Sequence, residues 1–298
     1  MMRPARFDYL APTSVADVVS VLGADDSAKV LAGGQSLVPL MNLRLAAPTQ
    51  LVDINQVAEL DFLRVADGDL HLGALIRHRR LEFDPEVARV APILAEAAGL
   101  IGHPQVRNRG TVGGSLAHSD PSAELGCALL ALDAEVTVQG GTGRRSLPIA
   151  ELFDGFFTTT LEDDELICQV RVPGTVPGRG WVIQEYAPRA GDFAVASVAA
   201  CIDLAPGGGC VRVRAAAGGV GPTPIDLGSA LGELVGETEL SEGLLRHVAS
   251  RAAEVIRPAA DLRASAEDRR DLLQVLLVRA LPAAWTRAAG SLSNGGAR

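Results

Sequence analysis

Residues Lys29 to Leu37 read KVLAGGQSL: a short apolar strand runs into Gly33-Gly34, and Ser36 opens an amphipathic run that continues LVPLMNLRL. A strand, a glycine turn and a helix start together aim bare backbone N–H groups and the positive end of a helix at an anion. Glycine serves such a turn because it takes positive φ and because a phosphate can approach where no Cβ intrudes. A second glycine-rich segment, Gly110-Thr111-Val112-Gly113-Gly114-Ser115, stands downstream. Two such turns suit a ligand with two phosphates, although either taken alone reads more simply as a tight turn.

The rest of the chain bounds what that ligand serves. At 298 residues the chain exceeds one comfortable core and predicts two domains. Hydrophobic residues make up 48% and charged residues 21%, a globular balance, and the net charge of −9 argues against nucleic acid. No apolar run is long enough to span a bilayer, and MMRPARFDYLAPTS lacks the apolar stretch of a signal peptide. Cys127, Cys168, Cys201 and Cys210 stand singly, which fits a reducing cytoplasm and leaves no thiolate set for an iron–sulfur cluster on this chain. His71, His78, His103, His118 and His247 show no metal-ligand spacing, so no metal is expected.

Local patterns give the order of elements. Ser14 with Asp17 resembles a capping box ahead of Val15, Val18, Val19 and Leu22, which predicts a helix. Leu51–Ile54 reads as a strand, and Asp67-Gly68 as the turn of a hairpin. Pro85–Leu100 is expected to be one helix despite Pro92, and Leu125–Leu132 another, with the strand Glu165–Val172 further on. Gly140-Gly141-Thr142-Gly143 lacks the third glycine and the following helix of a dinucleotide fingerprint, so it is a hairpin loop. Gly174–Gly180, GTVPGRG, is the best linker. Strand-like runs at Trp181–Tyr186, Ala194–Leu204 and Val211–Ala215 precede helices over Leu240–Ile256 and Asp268–Trp285.

The stretches AGGQSLVPLMNLRLA (Ala32–Ala46) and VRNRGTVGGSLAHSDPSAE (Val106–Glu124), followed by RAGDFA (Arg189–Ala194), resemble the FAD-binding medium subunit of molybdenum hydroxylases, the carbon monoxide dehydrogenase and xanthine dehydrogenase group. The resemblance implies an α+β fold: a FAD-binding domain of the vanillyl-alcohol-oxidase (PCMH) type in two subdomains, then a small sheet-plus-helices flavoprotein C-terminal domain. Its expected bounds are 1–175 for the first domain, with subdomains of about 1–58 and 59–175, and 178–287 for the second, with a disordered tail at 288–298.

What the resemblance implies for the site is specific. Ala32, Gly33, Gly34, Gln35 and Ser36 would cradle the FAD diphosphate through backbone N–H groups and the Ser36 hydroxyl, with Leu31 and Leu37 as flanking cofactor-binding positions. Gly110, Thr111, Gly113, Gly114 and Ser115 would face the cofactor from the other subdomain, with Gly113 and Gly114 permitting contact. Glu124, where the family more often carries aspartate, or Asp120 would accept hydrogen bonds from ribityl or ribose hydroxyls; Asp120 reads equally as the residue fixing the turn before Pro121. Ile101, Ile167 and Lys29 match contact positions but read as well as core packing and a solvated strand edge. Phe193 matches an aromatic near the flavin, and Glu185 stands where relatives often carry lysine. No catalytic residue is assigned.

The implied function is electron relay. A molybdopterin large subunit hydroxylates the substrate, a small subunit with two 2Fe-2S clusters carries the electrons, and the FAD here, one per chain, delivers them to an external acceptor. The partners form a cytoplasmic heterotrimer or its dimer, with clusters and molybdopterin on the partner subunits only. Three rivals stand beside it: a self-contained flavin-dependent reductase or oxidase on the same scaffold, which needs its own acid/base residues; a non-catalytic phosphate- or nucleotide-binding module; and a Rossmann-type NAD dehydrogenase, discounted because no G-x-G-x-x-G follows a strand.

Overall fold

The computed structural model describes residues 3–295. Its first unit is a parallel sheet of β1 (Asp8–Leu10), β2 (Lys29–Leu31) and β3 (Gln50–Asp53) in the order β1-β3-β2. Helix α1 (Val15–Leu22) lies between β1 and β2, and short helix α2 (Leu37–Asn42) between β2 and β3. Ser14 caps α1 as its pattern predicts, accepting a bond from the Asp17 amide, and Val15, Val18, Val19 and Leu22 form the buried face.

A second, antiparallel sheet follows. Strands β4 (Leu63–Ala66) and β5 (Asp69–Gly73) turn at Asp67 (φ 53°) and Gly68 (φ 86°), the mirror-image turn whose twist suits a hairpin. Six helices are inserted next: α3 (His78–Phe83), α4 (Pro85–Val90), α5 (Pro92–Leu100), α6 (Pro104–Arg109), α7 (Val112–His118) and α8 (Glu124–Ala131). Strands β6 (Glu135–Gly140) and β7 (Gly143–Pro148), the short pair β8 (Phe153–Gly155) and β9 (Thr158–Thr159), and β10 (Leu166–Val172) complete this part, in sheet order β4-β5-β10-β6-β7. The single helix expected over Pro85–Leu100 is two helices. Ala91 leaves the helical region at φ −142°, ψ 63°, because the ring of Pro92 disfavours α geometry in the residue before it.

The third sheet comprises β11 (Arg179–Tyr186), β12 (Ala196–Leu204), β13 (Cys210–Gly218) and β14 (Ile225–Asp226), and helices α9 (Glu242–Val255) and α10 (Ala266–Gly295) follow it. Strand β12 is covered on both faces. Ala199 and Cys201 join the core of the first two sheets, while Val198, Ala200 and Ile202 join a separate core with α9 and α10. Its near-continuous run of small and apolar residues reflects this double burial. On the first side it meets α8, all eight of whose residues are buried.

The connection Gly174–Gly180 is packed in place. The Thr175 amide bonds the Val90 carbonyl, and buried Arg179 makes a two-pronged ion pair with Asp203 (2.6 and 2.8 Å). Glu96 on α5 accepts from Trp181 and Arg287, adding a bridge between the two cores. The disordered tail expected over 288–298 is corrected for residues 288–295: α10 continues to Gly295, anchored by buried Ala288 and by the Ser291 hydroxyl, which accepts from the Gly178 amide. Residues 296–298 lie outside the described residues.

The contact of α10 with β11 gives a paired prediction. A Cβ at Gly180 would run into the α10 backbone at Ala284 and Ala288, whereas one at Gly290 meets nothing within 4 Å. Gly180→Ala is expected to cost about 1–3 kcal/mol through overpacking. Gly290→Ala is expected to be neutral or to add up to about 1 kcal/mol through helix propensity. Urea midpoints of the two variants read the opposite signs.

Candidate functional site

At the end of β2 the chain bends through Gly33 and Gly34, and Gly34 adopts φ +73°, a conformation that favours glycine. Four carbonyl groups of this bend are taken up inside the protein. Ala32 O accepts from Asn55 Nδ2 (2.9 Å), Gly33 O from Gln35 Nε2 (3.2 Å), Gly34 O from the Val38 amide and Ser36 O from the Leu40 amide. The amide N–H groups of Gly33, Gly34, Gln35 and Ser36 have no acceptor among the described residues. A backbone with occupied carbonyls and free amides is an anion-binding nest. Beside it lies a cavity of about 340 Å³ lined by Leu31, Gly33, Gly34, Gln35, Val38, Pro39 and Arg109.

The second glycine segment is placed against the first but built differently. Gly33 crosses the chain at Arg109 and Gly110: a Cβ on Gly33 would sit 2.8 Å from Gly110 Cα and closer still to the Arg109 carbonyl. Thr111 caps α7, accepting from the Gly114 amide (3.1 Å), so Gly113 and Gly114 belong to a helical first turn. The amides of Gly110, Val112, Gly113, Gly114 and Ser115 all bond within the protein. Gly113 is enclosed, and a Cβ there would lie 2.6 Å from Ala74 Cβ, so the packing of α7 on the end of β5 by itself demands glycine. Gly114 is half-buried; a Cβ there would lie 2.7 Å from the capping Thr111 Oγ1 and 3.7 Å from Ala32 Cβ.

The acidic candidates gather elsewhere, between the α7–α8 connection and the third sheet. Glu185 on β11 stands opposite Ser197 on β12, and Ser197 opposite Gly218 on β13. A Cβ on Gly218 would meet Ser197 Oγ, the Pro121 carbonyl and Cys127, so this row faces α8. Glu185 Oε2 and Ser197 Oγ are buried without partners among the described residues. Burial pushes Glu124 up to about 8; its own amide opposes this, and the charges of Glu185 and Asp120 add to it. Burial likewise pushes Glu185 up to about 7. Glu124 is thus mainly a neutral carboxylic acid near pH 7, able to donate as well as accept, where the sequence suggests an accepting carboxylate. Asp120 takes the turn role, accepting from the Ser122 amide (2.9 Å).

The remaining candidates are spread out. Lys29 is exposed on β2, and Leu37 opens α2. Ile101 is half-buried at the end of α5, where Arg107 donates to its carbonyl, and Ile167 is buried in β10 opposite Val138. Phe193 is half exposed beneath the Arg263 guanidinium, 5.6 Å from its ring centroid. Sequence reasoning missed Arg109, although it immediately precedes the second segment. It also missed Asn55 and Arg77, for which no local pattern exists, and the facing of Glu124 with Glu185, which lie in separate domains.

The model for the FAD binding domain in molybdopterin dehydrogenase matches residues 5–175, and that for the CO dehydrogenase flavoprotein C-terminal domain matches residues 182–284. The chain belongs to the family of FAD-binding medium subunits of molybdenum hydroxylases. It is similar to the 6-hydroxypseudooxynicotine dehydrogenase complex subunit alpha of Paenarthrobacter nicotinovorans, 41% identical, covering 96% of this chain and 97% of that one. The carbon monoxide dehydrogenase medium chain of Hydrogenophaga pseudoflava is 38% identical over 97% of this chain and all of its own. A solved structure of carbon monoxide dehydrogenase from that organism superposes with a TM-score of 0.93, covering 96% of this chain and 99% of that one. Quinoline 2-oxidoreductase from Pseudomonas putida 86 does so with 0.91 at 36% identity, over 98% and 100%. This medium subunit is therefore an FAD-binding oxidoreductase component, and the unbonded amides beside an open cavity suit the diphosphate of that cofactor.

The carboxyl pair gives a pH prediction. In the unfolded chain Glu124 titrates near the ordinary 4.5, and in the folded chain near 8, so the native state binds the extra proton. Stability tied to that proton is fully present below about pH 4.5 and is lost as pH rises through about 8, with a slope of up to roughly 1.4 kcal/mol for each step of one in pH. Glu124→Gln is expected to flatten the fall in denaturant midpoint across this window, and an unchanged slope would show that Glu124 titrates normally.

Proposed function

We propose that the Gly33–Ser36 nest holds the FAD diphosphate and that the chain relays electrons from an iron–sulfur subunit to an external acceptor, in a cytoplasmic complex with a molybdopterin subunit. Bound FAD supplies the redox chemistry, accepting and releasing electrons singly or in pairs, while the protein supplies position and electrostatics. The observation that carries the reading is the nest itself, with free amides, occupied carbonyls and a cavity alongside. Arg109 adds a cation to the cavity wall, opposite in sign to the chain's net charge of −9. Leu31, Val38 and Pro39 give the same wall an apolar strip against which a nucleotide can lie. The four cysteines are buried and separate, with burial pushing Cys127 up to about 12 and Cys168 and Cys201 to about 11, so their thiols stay protonated. We assign the iron–sulfur clusters to the partner subunits.

Affinity purification of the tagged chain from its native cells is expected to yield a yellow complex with two further polypeptides, one carrying iron and one molybdenum. Substrate should bleach the flavin only when the iron–sulfur polypeptide is present. A chain that carries flavin and turns over substrate unaided would overturn the relay in favour of a self-contained flavoenzyme.

A further inference from the structure

A single hydrogen-bonded bridge ties the two glycine segments together without lining the cavity. Asn55 follows β3, and its backbone amide bonds Asp53 Oδ1 (2.9 Å), which fixes the side chain at the foot of the sheet. From there Asn55 Nδ2 donates to the Ala32 carbonyl (2.9 Å), and Asn55 Oδ1 accepts from Arg77 Nη2 (2.6 Å). The other Arg77 amino group, Nη1, donates to the Arg109 carbonyl. That carbonyl is the group against which Gly33 packs. Arg77 is anchored from behind, because its backbone pairs with Thr111 in an isolated antiparallel bridge and the next amide, His78 N, bonds Gly110 O (3.0 Å).

The geometry points to Asn55 and Arg77 as positioning residues that set how the Gly33–Ser36 amides are presented to FAD. Asn55 holds the Ala32 peptide with its carbonyl turned away from the cavity, which leaves the following amides facing it. Arg77 fixes the Arg109 peptide, so the crossing under Gly33 keeps one spacing and the Arg109 side chain keeps its place on the cavity wall. Neither residue is among those lining the cavity. A flat, forked guanidinium is suited to spanning two acceptors on different segments, which an ammonium on a flexible stem is not. The inference rests on the reading of this cavity as the diphosphate site, and it adds that two residues outside the cavity govern affinity through it.

The test is FAD affinity of the full chain, read from flavin fluorescence on titrating FAD-free protein, beside the melting temperature of the same FAD-free protein. Asn55→Ala and Arg77→Met are each expected to weaken binding by about 10-fold or more, the scale of one lost hydrogen bond to a charged group. The double variant is expected to fall well short of the product of the two, since both cut one bridge. Arg77→Lys should lie between wild type and Arg77→Met, and Arg79→Met, on the outer side of α3, should bind as wild type does. FAD-free melting temperatures should stay together. Arg109→Met tests the cavity itself and should also weaken binding. If Arg109→Met weakens binding while the Asn55 and Arg77 variants do not, the positioning role is overturned and the cavity reading stands. If neither kind of variant weakens it, the cavity reading is overturned as well. Affinity losses that merely follow losses in FAD-free melting temperature, or that multiply in the double variant, also overturn the role.

Discussion

The site depends on one crossing: Gly33 lies against the Arg109 carbonyl and Gly110 Cα with no room for a Cβ. That contact joins the small parallel sheet to the insert of helices in the second sheet and sets the two walls of the cavity. Backbone on backbone is the closest approach that chains can make, and only glycine allows it. The same packing logic recurs at Gly113 against Ala74 and at Gly180 against α10. Glycine in this fold therefore marks places where elements meet more often than places where a ligand enters. Loss of cofactor after a bulky substitution at Gly33 reports on the crossing first and on the ligand second.

Once the crossing is made, the two segments divide the labour. The first has the carbonyls of Ala32, Gly33, Gly34 and Ser36 satisfied and its amides free, and the second satisfies its own amides by capping and by pairing with residues 74–77. A segment of the first kind is soft unless something holds it, because free amides contribute nothing to local rigidity. Its support comes from the side: Asn55 on Ala32, Gln35 on Gly33 and the first turn of α2 on Gly34. The second segment is rigid by construction and serves as the fixed wall.

Much of this was legible in the sequence where information is local. The cap at Ser14, the hairpin at Asp67-Gly68 and the strand-turn-helix at Lys29–Leu37 each follow from short-range rules, and each is found. The split of α4 from α5 needed more weight on Pro92. The extension of α10 could not be read locally, because Ser291 and Ala288 are held by Gly178 and Gly180, residues far away in the chain. For the same reason the resemblance pointed to Gly33–Ser36 but not to Asn55 or Arg77. Arg77 has no periodic or motif context, and its bonds to Asn55 and Arg109 form only when the fold brings those residues to it. The closeness of Glu124 to Glu185 likewise exists only after the third sheet docks on α8.

That docking also bears on charge. A chain of net charge −9 that binds a dinucleotide must keep its own carboxylates from opposing the diphosphate. Near the nest it does so with position, since Asp53 is engaged by Tyr9 and Asn55 while Arg77 and Arg109 stand closer to the crossing. At the domain junction it does so with protons. Burial against the third sheet holds Glu124 mainly neutral near pH 7 and Glu185 partly so. Two ionised carboxylates buried at this junction would repel one another, and protonation of Glu124 removes that repulsion. Desolvation of Glu124 where α8 meets the third sheet thus ties the charge of the FAD-binding half to how the two halves pack.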